Sequence, residues 1–461
     1  MQDADGPSIS GAELRRQRRA WYAYGWAAHS FETTVIVVFM SRYLPAVAEN
    51  AVGKNGRLHV LGIPIAPQSL FAYEVSFCAI VLIFLMPIVG ALADRTGRKR
   101  ELMLGFGYVG ALCSVAMWFV SGSDWALGSI LLIVGYLTYT CANVVFNSFL
   151  PDLAAANERD KVSSVGWALG YVGGGILLAL NFVVSFLISD QTLVARISLC
   201  SAGVWWALFA LVPLRILRNA PRVVEQRAPV TGSVVTAGFR QLGDTLKHLR
   251  LFPLTILFLV AYLVYYDGIN TVITLAADYG QNALKLGQTT LLSAILIVQF
   301  AAFGGALWLG RLADRFGAKR VIGYSLIVWI GVVVAAYFLQ AGSAVEFYLL
   351  ALVLSVVMGG TQALSRSLFS SMIPAGKEAE YFSLYEISSS GSSALGPLVY
   401  GLALQETGSY RVAIFSLIVF FVIGLGLLVP LNVKRAIAAS GNALPRSLGG
   451  PVEVASDAAA A

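Results

Sequence analysis

The chain has 461 residues, of which 57% are hydrophobic and only 12% charged, with a net charge of +7; a soluble domain carries about 25% charged residues. Too little polar surface remains to face water, and the basic residues sit in clumps between apolar blocks rather than interleaved with aromatics along a helical face, which argues against a soluble enzyme and against a nucleic-acid binder. Most of the chain must lie in lipid.

In chain order, apolar segments cover 20–44, 69–93, 101–121, 125–148, 163–188, 194–217, 251–278, 287–312, 320–340, 344–372, 381–406 and 410–432. Each approaches the ~20 residues that cross a ~30 Å hydrocarbon core as a helix, and none has the alternating ~10-residue pattern of a barrel strand. The expected fold class is therefore all-α integral membrane, with twelve transmembrane helices. The first segment follows a basic run (Arg15, Arg16, Arg18, Arg19) but is too long for a signal-peptide core, so it is expected to stay as an anchor. Twelve is even, so both termini share one side. With the N-terminus inside, inner loops and tails together with the three residues at each adjoining segment end hold 25 Lys and Arg, against 6 on the outer side, which predicts cytoplasmic termini and a multi-pass protein of the cell membrane.

The expected organisation is a cytoplasmic N-terminal tail (1–19), a six-helix bundle (20–217), a cytoplasmic linker (218–250), a second six-helix bundle (251–434) and a disordered cytoplasmic tail (435–461). In the linker, Phe239, Leu242, Leu246 and Leu249 recur at helical spacing among Arg240, Lys247 and Arg250, the pattern of an amphipathic helix on the membrane surface. The tail is rich in Ala, Gly, Ser and Pro. Four cysteines (Cys78, Cys113, Cys141, Cys200) stand singly in apolar stretches, without metal or redox spacing.

The two bundles repeat. Gly90-Ala-Leu-Ala-Asp94-Arg95-Thr-Gly97-Arg98-Lys99 follows segment 2, and Gly310-Arg-Leu-Ala-Asp314-Arg315-Phe-Gly317-Ala-Lys319 follows segment 8, 220 positions later; Pro151 and Pro374, and likewise Gly173 and Gly396, are 223 apart. Such repeats build carriers with a site near the bilayer midplane. The doubled loop resembles the signature of the major facilitator superfamily, which implies two pseudo-symmetric six-helix bundles. Within it, Asn147-Ser-Phe-Leu-Pro-Asp152, Ser163-Ser-Val-Gly-Trp-Ala-Leu-Gly-Tyr-Val-Gly-Gly174, Tyr266-Asp-Gly-Ile-Asn-Thr271 and Gly359-Gly-Thr-Gln-Ala-Leu-Ser-Arg-Ser367 resemble the vacuolar amino-acid effluxers linked to autophagy and their bacterial relatives. Where that branch carries an acidic Tyr-Asp-Trp-Ala-Asn in helix 1, this chain reads Tyr24-Gly-Trp-Ala-Ala28.

Charges inside a membrane are costly and mark pathways. Candidates for the substrate or proton pathway are Glu32 with His29 one turn before it, Asp267, Glu386 and Arg366, together with the amides Asn143, Asn147, Asn181, Asn270, Gln299 and Gln362. Asp267 stands first as a proton carrier, against a structural role in a helix interrupted at Gly268. Arg366 suits a carboxylate ligand or a helix lock. The superfamily resemblance implies an inner gate, with Asp94 facing the start of helix 11 (Tyr381 to Ser383), Asp314 facing Ser163 and Ser164 at the start of helix 5, and Arg98 pairing with Asp152, Glu158 or Asp160; Arg95 and Arg315 belong to the same loops. The alternative is tight basic turns that only set topology.

The expected function is a monomeric, proton-coupled carrier of a small polar solute, amino acids first, working by alternating access without metal or cofactor. A drug or metabolite exporter, or a membrane sensor or scaffold, is the alternative. No clustered His or paired acids at catalytic spacing suggest an enzyme.

Overall fold

A computed structural model describes residues 10–53, 56–60, 62–219, 250–391 and 395–450. The described chain is helical apart from one hairpin, β1 (Leu58–Val60) and β2 (Ile63–Ile65), paired antiparallel with His59 opposite Pro64. The membrane helices are α1 (Gly11–Val52), α2 (Pro67–Thr96), α3 (Lys99–Phe119), α4 (Trp125–Leu153), α5 (Arg159–Leu187), α6 (Gln191–Ile216), α7 (Pro253–Asn282), α8 (Gln288–Phe316), α9 (Ala318–Phe338), α10 (Ala344–Ser371), α11 (Glu378–Gly391), α12 (Leu395–Thr407) and α13 (Tyr410–Leu428). Among the described residues eleven stretches are long and apolar enough to span a bilayer. The twelfth expected segment, 381–406, is carried by α11 and α12 on either side of residues 392–394.

Capping chemistry sets the ends. Ser10 accepts from Glu13 N at the start of α1, Asp190 from Thr192 N and Leu193 N at α6, and Ser343 from Glu346 N at α10. The repeated loops end their helices on glycine: Gly97 closes α2 at φ 64°, and Gly317 closes α8 at φ 84°, a left-handed turn that a β-carbon resists. Between Phe31 and Met40, α1 winds as a π-helix, a geometry found mostly at functional positions.

Two cores result. One joins residues of α1 to α6 around Trp21, Phe31, Phe149 and Trp206; the other joins α7 to α13 around Phe258, Tyr265, Trp329 and Phe421. The halves meet along a seam where α2 and α4 pack on α11, and α5 packs on α8 and α10. Tyr171 of α5 belongs to the second core and Ala379, at the start of α11, to the first. Away from the seam, Phe77, Ile80, Phe84, Leu112, Phe186 and Phe338 are exposed, a belt suited to lipid.

The start of α1 and the C-terminal segment lie on one face, here called the terminus side: Arg18 bonds Leu153 O, and Arg446 N bonds Asn157 Oδ1. The expectation of disorder from residue 435 is corrected for 435–450. Helix α14 (Val433–Ala439) is followed by a segment in which Asn442 donates to Ser371 O and Ile373 O at 3.0 and 2.6 Å, while Leu444 and Leu448 pack on the second core. Composition suggested disorder because Ala, Gly and Ser bury little surface; three or four specific contacts hold the segment instead. The expected amphipathic linker helix falls on 220–249, outside the described residues, as do 1–9 and 451–461.

Replacing Gly97 by Ala should lower unfolding stability by about 1–2 kcal/mol, the cost of a β-carbon in the left-handed region, and Gly97→Asn should lose less, because asparagine tolerates that region. Thermal unfolding in detergent compares the two; equal midpoints for wild type and Gly97→Ala would remove this account of the repeated glycine.

Candidate functional site

Polar side chains from both halves gather in the membrane interior in two linked groups. The first is built on the π-helical turn of α1. Glu32 Oε2 accepts from Tyr139 of α4 at 2.7 Å and stands 3.5 Å from His29 Nδ1, with 45% of the Glu32 side chain exposed. His29 packs against Trp167 and Tyr171 of α5. It fits only because residue 170 is glycine, since a β-carbon there would lie 2.2 Å from the imidazole. Tyr171 donates to Gln362 of α10, and Gln299 of α8 donates to Thr33 of α1 at 2.9 Å, while Asn143 lies one turn after Tyr139 on α4. Asn270 lies half-buried on α7.

The second group runs across the seam. Glu386 of α11 accepts from Asn147 Nδ2 at 2.6 Å, and Asn147 Oδ1 accepts from Arg366 Nη1 at 3.0 Å. Arg366 also donates from Nε to Ser163 Oγ at 2.9 Å and from Nη2 to Ser163 O at 2.8 Å. Its guanidinium lies 5.1 Å from the Trp21 ring, 5.5 Å from Trp167 and 5.8 Å from Phe146, contacts that favour a cation. Glu386 and Glu32 lie within electrostatic reach of each other.

Below them, on the terminus side, the seam is closed. Both Asp94 oxygens accept backbone N–H groups at the start of α11, from Ala379 at 3.1 Å and Glu380 at 2.8 Å, as a carboxylate at a helix N-terminus should. Gly90 allows this approach, because a β-carbon there would sit 2.4 Å from Ala379 O. Lys99 Nζ bridges Asp152 at 2.9 Å and Glu378 at 3.3 Å, and donates to Ser148 O. Arg159 donates to Ser370 O, Ser367 to Asp160, and Ser163 to Ala363 O. Outside the membrane segments, Arg18 hydrogen-bonds Glu158 and holds that carboxyl below its ordinary range.

Several sequence expectations are corrected. Asp94 meets Ala379 and Glu380 rather than Tyr381 to Ser383, since α11 begins one turn earlier than its apolar run. Lys99, not Arg98, pairs with Asp152; Arg98 is exposed, because the turn after Gly97 sends the next residue into the seam. The two repeat loops differ. Ser163 faces Arg366, and Ser164 packs against Gly310. Asp314 is exposed, without hydrogen bond or ion pair among the described residues, and neither Arg95 nor Arg315 forms an ion pair there.

Asp267 is also placed elsewhere. It is 0% exposed, and its Oδ2 accepts from Gly396 N at 2.9 Å and its Oδ1 from Thr271. It thus caps the start of α12, while α7 runs unbroken through Gly268. Asn181 lies near the opposite mouth, where its Oδ1 accepts from Ser201 of α6 and the residue lines a cavity of about 340 Å³. The residues that sequence reasoning missed are Lys99, Glu378 and Tyr139. Tyr139, Asn143 and Asn147 share one face at i, i+4, i+8, a stripe that could have revealed the tyrosine.

Residues 13–441 match the profile of the family described as "Vacuole effluxer Atg22 like". A Bacillus subtilis (strain 168) protein named as an MFS-type transporter, YxiO, is 30% identical, covering 93% of this chain and 98% of that protein. Autophagy-related protein 22 of Kluyveromyces lactis is 27% identical, over 94% and 96%. Among solved structures, a major facilitator proton:xylose symporter superposes with a TM-score of 0.67 at 14% identity, over 92% and 96%. A bacterial homologue of the iron transporter ferroportin, in its outward-facing state, gives 0.64 at 14% identity, over 91% and 99%.

Removing the shared cation by Lys99→Met takes from Asp152 and Glu378 their common ion-pair partner and leaves only the more distant Arg159, a loss of up to about 3–5 kcal/mol to the closed seam. A cysteine placed at Ser370 should then react faster with a membrane-impermeant maleimide applied on the terminus side. Unchanged labelling would show that Lys99 does not hold the seam.

Proposed function

The chain belongs to the Atg22-like family of major facilitator transporters, and on that premise we propose that it carries a small ammonium-bearing solute, amino acids first, across the cell membrane by proton-coupled alternating access. One observation carries the reading: Glu32 from the first half and Glu386 from the second lie within electrostatic reach of each other in the interior while the terminus side is sealed beneath them. Two carboxylates within reach of each other attract a cation, which a proton or an amino group supplies. The amides Asn143 and Gln362 stand nearby for the polar remainder of the solute. Three Arg366 donors are engaged with Ser163 and Asn147, which supports a role in closure of the seam over one in holding a ligand carboxylate.

The proton role passes from Asp267 to Glu386, because Asp267 is occupied as a helix cap, whereas Glu386 links the interior to the seam. In this cycle the Asp94 and Lys99 contacts hold the terminus side shut while the other side is open, and the halves rock when they break. The excess of Lys and Arg in loops on the terminus side supports placing that side in the cytoplasm. The relatives are named as transporters rather than enzymes.

A second reading has its own support. Tyrosines 136, 139, 171 and 266 lie within the field of Glu32, and an aromatic, acidic interior also suits a bulkier organic cation. Uptake of labelled amino acids into proteoliposomes with and without a pH gradient tests the main reading, with an aromatic amine assayed beside them. Gradient-driven accumulation is expected, and Glu386→Gln should abolish the gradient dependence while leaving solute exchange. Undiminished gradient-driven uptake in Glu386→Gln would remove Glu386 from coupling; flux of the amine alone would establish the second reading.

A further inference from the structure

Arg366 is a charge of the second half lodged in a pocket of the first. Its three hydrogen-bonding partners are Asn147 Oδ1, Ser163 Oγ and Ser163 O, and the rings around it belong to α1, α4 and α5. Arg366 is only 2% exposed and forms no ion pair among the described residues. Parting the halves at this level and withdrawing Arg366 are therefore one event. A buried cation needs a compensating charge, and the carboxylate whose field bears on this one is Glu386.

Asn147 stands between them. It is 6% exposed, and its two polar atoms are both spent on this chain of contacts. A guanidinium only donates, so the amide oxygen must face Arg366 and the amide nitrogen must face Glu386. This fixed polarity makes the bridge sensitive to the charge on the far carboxylate. An ionised Glu386 draws the Nδ2–H groups and leaves the amide oxygen more negative toward Arg366; a neutral one does neither.

We propose that Asn147 is the positioning residue through which the occupancy of Glu386 controls the seam: an ionised, empty Glu386 keeps Arg366 in its pocket and the terminus side shut, and neutralising Glu386 by a proton or an ammonium group releases it. The inference rests on the carrier reading above and adds the coupling that such a carrier needs, since only a loaded site opens toward the terminus side. The other groups around Glu386 are Glu32 of α1, Tyr136 and Tyr139 of α4, Tyr262 and Tyr266 of α7, and Tyr385 on its own helix. Of these only Glu32 is a second acid, so Glu32→Gln is the control that separates the two.

The test uses the full chain in lipid nanodiscs, with Cys78, Cys113, Cys141 and Cys200 replaced by alanine. Spin labels are placed at the exposed Thr96 and Ala375, on opposite halves of the terminus side. The interspin distance distribution is recorded without solute from alkaline to acid pH. Acidification, or Glu386→Gln at any pH, should raise the open population about tenfold, within the usual range of coupling between sites, and Glu32→Gln should not. In an Asn147→Ala background, Glu386→Gln should add nothing. Asn147→Asp, which keeps the shape and gives Arg366 a carboxylate of its own, should stay closed whether residue 386 is Glu or Gln. The inference is overturned if Glu386→Gln raises the open population in the Asn147→Ala or Asn147→Asp background by as much as it does in the otherwise unaltered chain. Its failure is distinct from failure of the solute assignment: the distances need no solute, so a chain that transports no amino acid yet opens on Glu386→Gln keeps the latch and loses the substrate. A proton-driven amino-acid carrier whose Asn147→Ala form still answers to Glu386→Gln keeps the substrate and loses the latch.

Discussion

Charges withdrawn from water into the seam must find their partners in protein, because lipid offers none. In this molecule those partners lie across the boundary between the halves. Lys99 of α3 is satisfied by Asp152 of its own half and Glu378 of the other, Asp94 by backbone N–H groups of α11, and Arg366 by Ser163 and Asn147. Closure of the terminus side and solvation of these groups are thus the same contacts. Either half taken alone would hold unsatisfied buried charge, which ties the state of the seam to the charge state of a few side chains.

Small residues let this chemistry reach across. Gly90 brings α2 against the backbone at the start of α11, and Gly166 leaves room beside the Arg366 guanidinium, where a β-carbon would lie 3.2 Å from Nη2. Close packing of this kind holds the polar contacts at hydrogen-bond distance. The two repeats have diverged in use. Asp94 caps a helix of the opposite half while Asp314 stays exposed, and the place opposite Asp314, at the start of α5, is taken by Arg366 on Ser163.

Much of the interior chemistry was visible as residue types, the Glu32 and His29 pair included, while the partners of the others were not. Glu32 with His29, and Asn147, Arg366 and Glu386, were marked by being polar inside apolar runs, and the structure brings them into two linked groups. Asp267 carried the same signal but serves as the cap of α12, a contact 129 positions away. Asn181 was marked on equal grounds and lies toward the opposite mouth against α6. Polarity in a membrane helix announces that a partner exists; it does not say whether that partner is a ligand, a proton or a backbone N–H.

The sequence alone determined the class of structure: the apolar runs require spanning helices, and the doubled Asp-Arg-x-Gly loops require two related halves. These are local properties, set by hydropathy and by backbone sterics within a few residues. Tertiary structure decided that Lys99 rather than Arg98 enters the seam, that Arg366 lies on Ser163, and that residues 435–450 are held by Ser371, Ile373 and Asn157. Lys99 and Glu378 are separated by 279 positions and Arg366 and Ser163 by 203. Contacts of that span depend on how each helix is rotated about its own axis, and one residue of rotation, about 100°, exchanges a lipid-facing side chain for a buried one.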